Sequence, residues 1–385
     1  MKKTLFLICI LGLCVSCNKI DYMHKQYIED GPIKYVGKLD SAEAYPGLNR
    51  VLIQSLKPSD PEATRVKVRW EFEGVQDSVE REIGSLVDEK GKVSLPIDNL
   101  AEGDYTFFVT TYNTQGNSSV PVEINGSVYG ERVQATIRAF PLRNASFENG
   151  RLTINWGTQS AATAQRSELT YQSTSGSEKK LIIAVGTVST IIDDYQPEGT
   201  LKYLTLHLPR PNAVDTLSSP VTNLPYLMAI PKSGWIATAS SFDNRAGASY
   251  RPPQNAIDGD PNTVWVNYVG GTAGVPAAVH PHTITVDMGT VHEDLGSFEI
   301  ITRIPAGARS ENVQFFTSVD GTNWTPRGAT ILANVATKQS VALIGSVAGR
   351  YFRMVTLSSW NAAGQSNGDI NVALAEIGMT KLFNK

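Results

Sequence analysis

The sequence predicts an all-β protein built as a series of sandwiches, on three observations. Short runs alternate apolar and polar residues: RVKVRWEF (65–72) puts Val66, Val68, Trp70 and Phe72 on one side, and TITVDMG (283–289) does the same with Ile284, Val286 and Met288. Period two over such runs marks half-buried antiparallel strands. No stretch longer than about ten residues carries a convincing helical period. Gly, Pro, Asn and Asp clusters punctuate the runs at the spacing expected of sandwich turns.

The elements follow from the N-terminus. Lys2 and Lys3 precede an apolar run, Leu5–Val15, too short to span a bilayer, which reads as an export signal. It ends Leu13-Cys14-Val15-Ser16-Cys17, which resembles a bacterial lipobox. That resemblance implies a lipoprotein signal over 1–17 and lipidation at Cys17, hence a lipid-anchored protein of the outer membrane, facing the cell surface. Residues 18–30 are polar and are expected to be a tether. Cys9, Cys14 and Cys17 are the only cysteines, so the body beyond them has no internal disulfide, catalytic thiol or thiolate metal site. The 385 residues suit two to four domains, and a net charge of −3 with 18% charged residues gives no nucleic-acid-binding signature.

Beyond the tether, Val66 to Phe72, then Tyr105, Phe107 and Val109, then Leu152, Ile154 and Trp156 alternate in successive strands. LAEGDYTFFV (100–109) weakly repeats as QPEGTLKYLT (196–205), each copy following a strand with a core-type tryptophan, Trp70 or Trp156. The offset of 96 residues (198 minus 102, on the paired Glu-Gly steps) is about one immunoglobulin-like or fibronectin-like module. Two such sandwiches are therefore expected, over 31–130 and 131–222, followed by a Pro-rich connector over 223–232. The stretches YVGKLDSAEAYPGLNRV, EGDYTFFVTTYNTQGNSS and VYGERV resemble a family of uncharacterised lipoprotein domains from gut-type Gram-negative bacteria. That family implies surface display and no known activity.

The remaining unit, 233–385, contains in order ATASSF (237–242), NAIDGDPNTVW (255–265), PHTITVDMG (281–289), TSVDGTNW (317–324), RYFRMVTL (350–357) and ALAEIG (373–378). Together these resemble the discoidin fold, or coagulation factor V/VIII type C domain, shared by many family 32 carbohydrate-binding modules. The implied fold is a jelly-roll β-sandwich, giving an all-β chain of two fibronectin type III/immunoglobulin-like sandwiches followed by a discoidin-type module. The resemblance also implies a structural calcium ion, because Ca2+ takes six to eight oxygens and accepts carbonyls as readily as carboxylates. Its ligands would be Asn255 and Asp260 through backbone oxygens, Asp258 through its carboxylate, Thr263 through backbone and hydroxyl, and Ala375 and Glu376 through backbone and carboxylate. Read without the family, IDGDPNT is also compatible with a plain Asx-capped turn.

A sugar site needs an aromatic plate and a few fixed hydrogen-bonding groups. Four loops offer them: 243–253 with Tyr250, 267–282 with Asn267 and Tyr268, 302–312 with Arg303 and Asn312, and 358–369 with Trp360. Trp360 is the preferred plate, and Arg303 and Asn312 stand where sugar-binding relatives carry an Arg and an Asn. The bland readings are that Trp360 folds back over the barrel edge and that Arg303 pairs with Glu299 or Glu311 on the surface. No GxSxG, HExxH, P-loop or GxGxxG motif is present. The expectation is a non-catalytic protein that binds a glycan, as part of an outer-membrane glycan-uptake complex. A protein-binding adhesion module, favoured by Val269, Val275 and Val279 on the second loop, is the alternative from another class, and a cryptic glycosidase a third.

Overall fold

In the computed structural model, residues 34–159, 163–247, 250–270, 275–303 and 307–384 are described. The expected signal segment 1–17, with Cys17, and the tether 18–30 lie outside them. Strand is the dominant regular structure of the described residues, and the one α-helix among them spans Glu131–Thr136. It divides into two compact units, residues up to Ile137 with His207–Ser219, and Arg138–Leu206 with Pro220 onward.

The first unit is a three-on-four antiparallel sandwich. One sheet orders Asp40–Gly47, Arg50–Leu56 and Lys92–Asp98; the other orders Val75–Glu82, Arg65–Phe72, Gly103–Tyr112 and Val122–Val128. Alternation places Val66, Val68, Phe107 and Val109 in its core, with Trp70 tilted against Phe107. The Tyr105 hydroxyl donates to the Ala101 carbonyl four residues upstream, at 2.9 Å, the tyrosine-corner arrangement of such sandwiches. The LPRPN stretch (208–212) and residues 213–219, expected to close the second sandwich, belong to this first unit. The Asp215 carboxylate takes Arg50 at 2.6 and 2.9 Å and the Leu48 N–H at 2.9 Å.

The second unit holds the second sandwich and the C-terminal module, and one sheet runs through both. Its order is Ser189–Ile192, Arg151–Trp156, Leu142–Glu148, Tyr226–Ala229, Ala373–Phe383, Leu295–Thr302 and Gln339–Ala342. The strand Tyr226–Ala229 lies in the stretch expected to be a connector. It pairs in parallel with Ser146 and Phe147, and antiparallel with Thr380–Phe383. A Cβ on Gly296 would collide with Leu227, so the glycine makes room for this shared strand. The last strand therefore starts in one core, with Leu374, Ile377 and Met379, and ends in the other, where Phe383 stacks on Tyr226 at 5.5 Å.

In the C-terminal module the facing sheet orders Ile236–Ala239, His282–His292, Gly349–Thr356, Asn312–Ser318 and Thr325–Ile331. Ile284, Val286, Met288, Val313, Phe315, Phe352 and Met354 fill the space between the sheets together with Trp265, which is fully buried and donates its indole N–H to Ser241 O at 3.0 Å. Val319, which continues the alternation in the sequence, lies past the end of its strand and is exposed.

Candidate functional site

The loop 255–263 is organised around one hydroxyl. A short 3-10 turn, Pro253–Ala256, leads in, and Gly259 takes a left-handed conformation (φ 86°) that other residues rarely adopt. Thr263 Oγ1 lies 2.7 Å from Asp258 Oδ2, 3.1 Å from the Asp260 carbonyl and 3.3 Å from the Asn255 carbonyl. A hydroxyl carries a single proton, so three acceptors compete for it and the loop is rich in oxygen lone pairs. The side chain of Asp260 turns aside to accept the Asn262 N–H and amide, which hold its pKa below the usual carboxylate range.

The last strand completes the arrangement. The ladder to Leu295–Thr302 slips between Glu376 and Leu374 and skips Ala375; such a bulge re-aims neighbouring side chains. Glu376 is buried, Oε2 is paired with the Lys232 ammonium, and Oε1 has no partner among the described residues. Burial raises the Glu376 pKa, Lys232 pulls it back, the Asp258 carboxyl pushes it up again, and the Gly259 N–H lowers it. No group of three or more His, Cys, Asp or Glu side chains is poised for a metal among the described residues; the expected calcium set draws mainly on carbonyls.

The second, third and fourth loops are tied together by polar groups. Glu311, which the bland reading offered beside Glu299 as a surface partner for Arg303, is buried, and accepts from Ser358 Oγ at 2.9 Å, the Asn367 N–H at 2.7 Å and Ser366 Oγ. Burial alone would raise its pKa, yet the three donors hold it below the usual glutamate value. His280 faces the carbonyls of Thr356 and Asp369, and His282 Nε2 lies 2.7 Å from Ile370 O. Arg309 donates to Arg303 O and Asn334 Oδ1. Val269 packs with Val266, Ala308 and Ala373, joining the second loop to the third.

The expected ligand residues divide accordingly. Asn267 is not at the surface: it is fully buried, its Oδ1 accepts the Val372 N–H at 2.8 Å, and its amide faces Tyr268 O, Ala278 O and Asn371 Oδ1. It staples the second loop to the segment that leads into the last strand. Trp360 is not on a free loop: it sits in a two-residue strand opposite Arg309, half-exposed, with its indole N–H donated to Leu332 O at 3.1 Å. Tyr250 is 54% exposed and set edge-on against Phe242. Tyr268 is half-buried near Arg245, whose guanidinium is clamped by the buried Asp243 carboxylate at 2.7 and 2.8 Å. Arg303 is half-exposed, and its guanidinium has no partner among the described residues. Asn312 lies apart from these, bonded to Ser358 Oγ at 2.7 Å and lining a shallow depression of about 510 Å³ with Thr330, Ile331, Leu357 and Asn367. Sequence reasoning missed Glu311, Asp243 and Lys232, whose partners lie on other segments.

Comparison with known proteins matches two family models along the chain. Residues 236–369 match the F5/8 type C domain, and the C-terminal module is such a domain. Solved structures resembling it include CpGH89CBM32-5 from Clostridium perfringens in complex with GalNAc-β-1,3-galactose (21% identity, TM-score 0.34, 39% of this chain and 98% of that one). The family 32 module of Clostridium perfringens NanJ in complex with galactose (17%, 0.33, 40% and 99%) and the C-terminal domain of a chitobiase from Bacteroides fragilis (20%, 0.33, 40% and 99%) are also similar. No curated protein matches the chain. The model of DUF4998, a domain of unknown function, matches residues 17–217, more than half of the sequence, and the chain belongs to that family.

Proposed function

We propose that the C-terminal F5/8 type C domain binds a carbohydrate at its loop end and makes or breaks no bond. The observation that carries this reading is the contrast between a pinned foundation and a partly open rim. Glu311, Asn267, His280 and His282 fix the loops from below with buried hydrogen bonds. Above them Tyr250, Tyr268, Arg303 and Trp360 keep exposed surface. A sugar offers an apolar C–H face and a ring of hydroxyls, and a preorganised set of aromatic rings and a guanidinium meets both at small entropic cost. We further propose that loop 255–263 with Ala375 and Glu376 holds a calcium ion, supported by the crowded acceptors around Thr263 and the partnerless Oε1 of Glu376. Lipid anchoring at Cys17, a surface-facing place in the outer membrane, and delivery of the captured glycan to an uptake complex extend the reading from the sequence.

The exposed Val275 and Val279 on the second loop favour a second reading, adhesion to a protein. A glycan array probed with the whole chain, alongside Trp360→Ala and Tyr250→Ala, separates the two. Sugar binding lost in the variants supports the first reading. A silent array overturns it, and released reducing ends would show catalysis.

A further inference from the structure

Lys232 stands where the calcium reading would least expect a lysine. After the shared strand Tyr226–Ala229, the chain stays alongside the last strand through the Ile230 N–H to Met379 O bond at 2.9 Å. Pro231 and a turn closed by the Trp235 N–H on Lys232 O then hold Lys232 beside that strand. Gly378 carries no side chain, and its built Cβ would sit 3.5 Å from Lys232 Cε, so the lysine stem crosses over the glycine. The ammonium reaches Glu376 Oε2, with Lys232 27% and Glu376 8% side-chain exposed. Both residues line, with Gly259 and Pro261 of the oxygen-rich loop, a cleft of about 640 Å³.

We infer that Lys232 is a tethered cation that competes with calcium for Glu376 and neutralises its buried carboxylate when calcium is absent. The inference rests on the calcium reading above. One positive charge already neutralises the buried carboxylate, so a divalent ion entering beside Oε1 must displace the ammonium or bear its repulsion. At the short range and low dielectric of a buried site that repulsion is large. The cation-free module therefore keeps its fold, and calcium binds more weakly than the oxygen set alone would allow.

The test is calorimetric titration with calcium chloride, and thermal melting in EDTA and in calcium, of the full chain and of Lys232→Met. The substitution keeps the apolar stem and removes the charge; Lys232→Arg keeps the charge. The expected result is calcium affinity at least tenfold higher in Lys232→Met, a melting temperature that falls in EDTA and recovers in calcium, and little change in Lys232→Arg. Equal affinities in the two proteins would overturn the role of Lys232 while leaving the calcium site standing. An equal loss of stability in EDTA and calcium would show an ordinary ion pair and overturn it too. Absence of binding in every protein would remove the calcium site and the inference together.

Discussion

Glu311 offers the sharpest test of how the rim is built. Its carboxylate gathers three donors from the fourth loop, namely Ser358 Oγ, Ser366 Oγ and the Asn367 N–H. Glu311→Ala removes all three acceptor contacts. Ser358 is buried and, although its oxygen still accepts from Asn312, its O–H loses its acceptor, which costs about 1–3 kcal/mol. Ser366 and Asn367 are exposed and regain water, so each of those bonds is worth only its net value, about 0.5–1.5 kcal/mol. The total is roughly 2–4 kcal/mol for the second unit, once non-additivity is allowed for, or a fall of roughly 4–16 °C in its melting transition. Glu311→Gln keeps the shape but turns an amide toward donors, so it lies between wild type and alanine. Hydrogen exchange gives the local readout: the amides of 358–369 lose protection in the alanine variant while those of 282–292 keep it. Sugar affinity, where measurable, falls with them. Unchanged protection in 358–369, or a melting shift under about 1 °C, would refute the claim that one buried carboxylate anchors this loop.

Three further outcomes are expected. Burial lowers the His282 pKa, partly countered by its bond to Ile370 O, with neighbouring His280 lowering it further. The unfolded chain then takes up a proton that the folded one refuses, so this contribution is whole above about pH 6.5 and is lost as pH falls toward the depressed folded value. Melting temperature against pH should show that loss, and His282→Gln should flatten it. Trp265→Phe removes a fully buried indole and its bond to Ser241 O, and should cost about 2 kcal/mol in denaturant unfolding. A chain trimmed to 233–385 lacks the shared strand and leaves Thr380–Phe383 as an open edge, so it should associate in sedimentation velocity at concentrations where the whole chain does not. A stable monomer with wild-type melting would show that the two modules are independent after all.

The features legible in the sequence and those hidden from it divide along a physical line. Strands with one wet face announce themselves, because each alternate residue must be polar; 65–72, 103–112 and 282–292 are of this kind. The core role of Trp265 is legible too, since a large ring just after a turn, at the start of an apolar run, has little reason to stay in water. Partnership across the chain leaves no such local trace. Tyr226–Ala229 is four residues between prolines, and it is a strand because Thr380–Phe383 lies beside it, more than 150 residues later. Asn267 in a Gly-rich loop looks like a ligand contact, and is buried only because Val372 and Asn371, 105 and 104 residues on, accept its geometry. Glu311 looks like a surface charge until three donors from another loop converge on it. In each case a polar or short apolar residue is read by its neighbours in sequence, while its energy is set by neighbours in space. The same holds for Lys232, whose place beside Glu376 depends on a strand pairing that no local pattern records. A proposed binding rim made of loops from four segments is therefore the part of this fold where residue types are most visible in advance and their roles least so.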